Sequence, residues 1–159
     1  MMRARAFLLL GLLSLGACAH DTIPNTDVED SPEARDVIKF VEVYRSAVVK
    51  RDVGKLVSLA AEDYFDDMGT PQGDDDVDRE GLATTLKTMF GPDLLAVHYD
   101  IKYRDVVFLP TKVLVDYTYI GRFRVNSIDG VPRWERRLAD NRMILTKDQG
   151  GEYKIASGM

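Results

Sequence analysis

The spacing of apolar residues changes near the middle of the chain. Between residues 37 and 90, apolar side chains recur at intervals of three and four, which is typical of amphipathic helices with one buried side. From residue 97 onward they alternate with polar residues, as in strands that have one wet face. Because the strands follow the helices and do not interleave with them, the sequence predicts an antiparallel sheet and the α+β class.

Three helices are predicted from start and stop signals. Ser31 followed by Pro32 is a typical helix start, because serine caps the first amide groups and proline fits the first turn. Asp52 is the expected cap of a shorter second helix. The third helix is expected from about Asp78 to Phe90, where a Gly-Pro pair stops it.

Four strands account for the second half of the chain. They are predicted around residues 97–104 and over 112–125, 133–147 and 152–157. The Asp129-Gly130 pair marks a hairpin turn between the second and third strands. If that turn has two residues, Val125 stands opposite Trp134, and the faces of both strands follow from that register.

This register places an aromatic-rich face on the inside of the sheet. The residues that it brings together, and that we predict as a ligand pocket, are Tyr117, Tyr119, Trp134, Arg136, Asp140 and Arg142. Trp134, Phe123 and Tyr44 are expected in the core, and His98 is expected in water.

Asp140 is the one weak candidate for a catalytic residue. A carboxylate in an apolar cavity can have a raised pKa and act as a general base. Asp140 and Arg142 are also spaced to pair on one strand face, and pairing lowers the pKa of a carboxylate. The sequence therefore leaves three roles open: an ion pair that is structural or orients a ligand, ligand binding without turnover, and catalysis.

An acidic stretch between the second and third helices partly matches the spacing of a calcium-binding loop. Asp74, Asp76 and Asp78 have the spacing of the first calcium-loop ligands, but Arg79 replaces the required glycine and Thr85 the distal glutamate. We therefore predict a solvated loop, with no metal site and no cofactor.

The N-terminal segment indicates export. Two arginines, at positions 3 and 5, precede a short apolar run, and Leu15-Gly16-Ala17-Cys18 follows. A charged start, a short apolar stretch and small residues before a cut site describe a secretory signal and not a membrane span.

The Leu-Gly-Ala-Cys ending resembles the bacterial lipobox, in which the cysteine is acylated after the preceding peptide is removed. The resemblance implies a signal peptide over 1–17, a lipidated tether over 18–30 and a folded domain over 31–159. Cys18 would then anchor the protein in a membrane. In lipoproteins of this kind, an aspartate directly after the cysteine usually retains the protein at the inner membrane. Here Ala19 and His20 follow the cysteine, so the resemblance implies an outer-membrane lipoprotein facing the periplasm.

Composition narrows the remaining possibilities. Cys18 is the only cysteine, so disulfides are excluded and packing alone must hold the fold. Loss of the two N-terminal arginines leaves 19 basic against 26 acidic residues, a formal charge of −7. An acidic domain is a poor binder of nucleic acid or anionic lipid, so the acyl group is expected to hold the protein at the membrane.

A family resemblance is carried by the order of the elements, by the segments Arg51-Asp52-Val53-Gly54-Lys55-Leu56-Val57 and Glu62-Asp63-Tyr64, and by the terminal strand 151–158. In these features the chain resembles the nuclear transport factor 2-like superfamily. The resemblance implies a cone, in which a curved antiparallel sheet wraps around N-terminal helices and leaves a pocket. Tyr153 stands where the superfamily usually has a tryptophan. No catalytic signature runs through the superfamily, so the resemblance implies a fold and not an activity.

Three functions follow from these expectations. The leading hypothesis is a lipid-anchored envelope protein whose non-catalytic cone docks on a partner protein or binds a small apolar ligand. The second is an enzyme of the hydratase, isomerase or cyclase type with Asp140 as base, and the third is a structural lipoprotein that forms a homodimer through Leu114, Ile120 and Met143 of its sheet. No nucleophile motif, phosphate loop or metal spacing was found, which favours the first.

Overall fold

The computed structural model describes residues 21–69 and 73–159, so Cys18 and the predicted signal peptide lie outside the described residues. The elements, in chain order, are α1 (Pro32–Lys50), α2 (Val53–Leu59), β1 (Phe65–Asp66), β2 (Val77–Asp78), α3 (Arg79–Met89), β3 (Leu94–Phe108), β4 (Val113–Asn126), β5 (Pro132–Lys147) and β6 (Tyr153–Ser157).

The helices begin where their capping residues predict. The side chains of Ser31, Asp52 and Asp78 each accept a hydrogen bond from a backbone amide in the first turn of their helix. Such caps satisfy amide groups that have no partner within the helix. The three predicted helices are therefore confirmed.

A four-stranded antiparallel sheet forms the second layer, in the order β3-β4-β5-β6. One face of this sheet packs against the helices, and we call it the inner face; the opposite face is the outer face. The core lies between the inner face and the helices, and its fully buried members include Val37, Val41, Leu56, Val115, Tyr117, Met143, Leu145 and Ile155. The predicted α+β class and curved antiparallel sheet are confirmed.

The segment predicted as a free tether is packed on the domain from Asp21 onward. Ile23 and Val28 are buried in the core, and Thr22 pairs with Glu29 in an isolated bridge. Burial of these two apolar side chains docks residues 21–30 on the domain.

The predicted pairing of β4 with β5 is wrong by one residue. Trp134 stands opposite Arg124 and not opposite Val125. The connection is a loop of residues 127–131, in which Gly130 has a φ of 74° and its amide donates to the carbonyl of Ser127. A loop of odd length in place of a two-residue turn shifts the register by one position, and such a shift turns every side chain of one strand to the other face.

Candidate functional site

The observed register divides the predicted pocket between the two faces of the sheet. Tyr117 and Tyr119 lie on the inner face, where they stand opposite Asn141 and Ala139. The other four residues of the predicted set lie on the outer face, and these are Trp134, Arg136, Asp140 and Arg142. Trp134 is 54% exposed, so it is not a core residue.

Asp140 and Arg142 do not pair with each other. Arg142 forms a two-pronged ion pair with Asp116, with nitrogen–oxygen distances of 2.6 and 2.8 Å. Asp140 instead accepts a hydrogen bond of 2.6 Å from the hydroxyl of Thr118. The guanidinium of Arg142 holds the pKa of Asp116 below its ordinary value. The charged residues predicted for the pocket therefore lie on the outer face, where Arg142 binds Asp116 and Asp140 binds Thr118.

The cone does contain a cavity, and other residues line it. The cavity has a volume of about 180 Å³ and lies between α1, α3, the loop after β1 and the inner face of the sheet. Its lining is largely aromatic and aliphatic, and it includes Tyr44, Leu82, Leu86, Phe90, Tyr99, Tyr119 and Phe123. Most of its polar groups are neutral, namely the tyrosine hydroxyls, Thr85 and Asn141, and Arg137 supplies the positive charge.

A cluster of tyrosines forms the deep wall of this cavity. The rings of Tyr99 and Tyr119 stack with centroids 5.2 Å apart, and Tyr44 meets Tyr99 edge to face at 6.4 Å. Burial raises the pKa of Tyr44, Tyr99 and Tyr117, because the phenolate form loses its hydration. These hydroxyls are therefore neutral hydrogen-bonding groups at ordinary pH.

Asn141 connects the tyrosine cluster to the end of the chain. Its amide nitrogen donates to the hydroxyl of Tyr117 over 2.8 Å and to the carbonyl of Gly158 over 3.2 Å. The amide of Gly158 in turn donates to the carboxylate of Asp66 over 2.8 Å. This chain of bonds holds Met159 against the cavity.

Asp66 is the carboxylate that the sequence interpretation missed. Its side chain is 8% exposed, and it accepts hydrogen bonds from Tyr64, Met68 and Gly158. It belongs to β1, which pairs with β2 through only two residue pairs and was not predicted. A strand of two residues is too short to have a period, so no sequence signal distinguished Asp66 from the exposed acids around it.

Asn141 and Arg137 were missed for a different reason. Both lie on β5, and the predicted register placed them on the wet face. With the true register, Arg137 stands opposite Gly121 on the inner face, and Asn141 stands opposite Tyr117. No local sequence signal distinguishes the two registers, because a one-residue slip leaves the strand pattern unchanged.

No group of three or more histidine, cysteine, aspartate or glutamate side chains is placed to hold a metal ion within residues 21–69 and 73–159. In the same part of the chain, no helix has both the length and the apolar character needed to cross a membrane.

No protein-family model matches the sequence, and no curated protein matches it. Solved structures do resemble the fold. One is a ketosteroid isomerase-like protein from Erwinia carotovora atroseptica, with a TM-score of 0.65 and 16% identity over 81% of this chain and 95% of that chain. Another is a candidate scytalone dehydratase from Novosphingobium aromaticivorans, with a TM-score of 0.67 and 14% identity over 79% of this chain and 80% of that chain.

A third similar structure is a candidate calcium/calmodulin-dependent protein kinase II association domain from Xanthomonas campestris. It has a TM-score of 0.61 and 18% identity, and the match covers 86% of this chain and 94% of that chain. Identities this low establish the fold and nothing about activity. The chain therefore has the nuclear transport factor 2-like fold, in which a curved antiparallel sheet wraps around N-terminal helices.

Proposed function

We propose that the cone binds a small, largely apolar molecule and does not transform it. The observation that supports this is the chemistry of the cavity. Among the described residues, no aspartate, glutamate or histidine side chain lines it, so its side chains offer apolar surface and neutral donors but no ordinary general base.

The volume limits the size of the ligand. A cavity of about 150 Å³ lined by apolar side chains holds a benzene molecule, and the cavity in this protein measures about 180 Å³. The ligand is therefore about one ring with a short substituent. Arg137 favours a substituent that carries a negative charge, because a guanidinium binds carboxylates well.

Benzoate is a suitable probe for this proposal, with toluene as its uncharged counterpart. We expect benzoate to raise the melting temperature of the protein and to bind more tightly than toluene. Arg137→Gln should remove the preference for benzoate. Arg136→Gln is the matched control, because Arg136 is the neighbouring residue on the outer face. Equal benzoate binding by the wild type and Arg137→Gln, or no binding of either probe, contradicts the proposal.

Catalysis is the second candidate, because the similar structures include a ketosteroid isomerase-like protein and a candidate scytalone dehydratase. The predicted base, Asp140, lies on the outer face and accepts a hydrogen bond from Thr118, so the cone in this structure does not present it to a ligand.

We also propose that acylated Cys18 anchors the protein in a bacterial outer membrane, facing the periplasm. The lipobox-like sequence supports this proposal. Radiolabelled palmitate should be incorporated into the wild type and not into Cys18→Ser, and the labelled protein should fractionate with the outer membrane. Equal labelling of both proteins, or recovery of unlabelled wild type from the cytosol, contradicts it.

A further inference from the structure

Several arginine side chains among the described residues bind another group of the same chain. Carboxylates bind Arg35, Arg45, Arg104, Arg133 and Arg142, and backbone carbonyls bind Arg51 and Arg79. Three arginines of the outer face are different. The guanidinium groups of Arg122, Arg124 and Arg136 form no hydrogen bond or ion pair with any described residue.

These three arginines lie together at one end of the sheet. Arg122 stands directly opposite Arg136 on β5 and opposite His98 on β3, and Arg124 occupies the next outward-facing position. Two like charges in directly opposing positions repel each other and reduce the stability of the sheet. The stability of the fold therefore does not explain why these three arginines lie together.

Exposed apolar side chains accompany the arginines. Trp134 stands opposite Arg124, its ring lies 5.3 Å from the ring of His98, and it is about half exposed. Ile128 and Val131, in the loop between β4 and β5, project into solvent. We call Arg122, Arg124, Arg136, Trp134, Ile128 and Val131 the hairpin surface.

We propose that the hairpin surface binds an anionic phospholipid bilayer. Arginines next to a tryptophan and protruding aliphatic side chains are the combination that proteins use at the membrane interface, where the cations meet phosphate groups and the apolar groups enter the headgroup region. A bilayer also accepts a protruding loop without a matching cavity, which a protein partner would need.

The chain length before the fold supports the same occupant. Only Ala19 and His20 separate Cys18 from the packed segment, so the fully extended chain spans about 10 Å between Cys18 and Asp21. That segment reaches the outer face, where Asp27 forms ion pairs with Lys102 and Arg104. An acylated Cys18, which is itself part of the proposed function, would hold the domain close to the bilayer. Contact of the hairpin surface with the bilayer would also orient the anchored domain.

Net charge does not argue against this surface. The mature chain has a formal charge of −7, but the Debye length in physiological salt is about 8 Å. A charged bilayer therefore interacts mainly with the charged side chains that lie closest to it. On the outer face, Arg136 and His98 stand opposite Arg122, Arg124 is the next outward-facing residue of β4, and Asp100 and Glu135 are the acidic neighbours.

The test uses the unacylated chain from Ala19, which contains every buried residue of the core described above, after its cooperative unfolding has been checked. Trp134 is the only tryptophan, so its fluorescence reports contact with this surface directly. We expect a blue shift with vesicles of phosphatidylethanolamine and phosphatidylglycerol, weaker at high salt, and none when phosphatidylcholine replaces phosphatidylglycerol. Because this protein has no acyl chain, failure of the inference is distinguishable from failure of the proposed anchor.

Variants separate charge from apolar contact. Each of Arg122→Gln, Arg124→Gln and Arg136→Gln should weaken vesicle binding about fivefold, and Arg122→Gln should leave the melting temperature unchanged or higher. Each of Lys39→Gln, Lys50→Gln and Lys55→Gln changes the net charge by the same amount, on a helix, and should bind normally.

The contribution of apolar contact to vesicle binding is tested separately. Ile128→Ser with Val131→Ser should also weaken binding, whereas Phe108→Ser with Leu109→Ser, at the exposed loop between β3 and β4, should not. Three results would overturn the proposal: absence of a blue shift, an equal shift with uncharged vesicles, and a concentration-dependent shift without vesicles. The last would show that a second copy of the chain covers Trp134.

Discussion

Asn141 donates an amide hydrogen bond to the hydroxyl of Tyr117 directly across strands β4 and β5, over 2.8 Å. Tyr117 is 1% exposed, so its end of this bond is shielded from water. The relationship exists only in the observed register. In the predicted register Asn141 would have faced the solvent and Asp140 the cone.

Asn141→Leu tests the register through stability. The substitution removes two hydrogen bonds of the amide, each worth about 0.5–1.5 kcal/mol, while the Tyr117 hydroxyl still donates to the Gly158 carbonyl. Urea denaturation should show a loss of that size. Asp140→Asn is the control on the outer face and should cost less. A larger loss for Asp140→Asn would mean that Asp140 is the buried residue.

The ion pair between Asp116 and Arg142 predicts a dependence of stability on pH. Pairing lowers the pKa of Asp116 in the folded protein below its ordinary value of 3.8. The pair therefore contributes fully above pH 3.8, and its contribution is lost as the pH falls through the lowered pKa.

Asp116→Asn should accordingly cost about 0.2–1 kcal/mol at neutral pH, a modest value because both side chains are partly exposed. The wild type and the variant should converge in strongly acidic solution. Urea denaturation across the acidic range measures the difference. A difference that stays constant down to the acid transition would argue against a role for this pair.

The tyrosine cluster predicts cooperative alkaline unfolding. Burial raises the pKa of Tyr44, Tyr64, Tyr99, Tyr103 and Tyr117 above the ordinary value of 10. Stability is then complete below pH 10 and falls as the pH rises above it, because the unfolded chain releases these protons more readily.

Tyrosinate absorbance should therefore show a steep step at alkaline pH, together with the loss of the circular dichroism signal. Only the more exposed tyrosines should titrate before that step. A gradual titration centred near pH 10 in a protein that keeps its circular dichroism would contradict the buried cluster.

Asp66→Ala tests the link between β1 and the end of the chain. The substitution removes the acceptor for the hydroxyl of Tyr64 and for the amides of Met68 and Gly158. We expect a loss of about 1–3 kcal/mol in thermal or urea unfolding, and faster hydrogen exchange at the Gly158 amide. Asp67→Ala, on the exposed neighbouring residue, should cost much less. Equal losses would mean that Asp66 has no special role.

The elements of this fold were readable from the sequence because their signals are local. Ser31, Asp52 and Asp78 cap helices through bonds that span three residues, and the alternation around Tyr99 defines a strand within its own length. The single Cys18 and the residues before it likewise indicate export without any reference to the fold.

The site was not readable because it depends on how two distant segments align. Whether Asp140 or Asn141 faces the cone depends on one residue in the loop before β5, and that loop is held by its own bonds, such as that from Gly130 to Ser127. A one-residue slip leaves the strand pattern unchanged but exchanges the faces. Sequence alone thus determined the three helices and the four strands of the main sheet, and only tertiary packing decided which side chains line the cavity and which arginines meet the solvent.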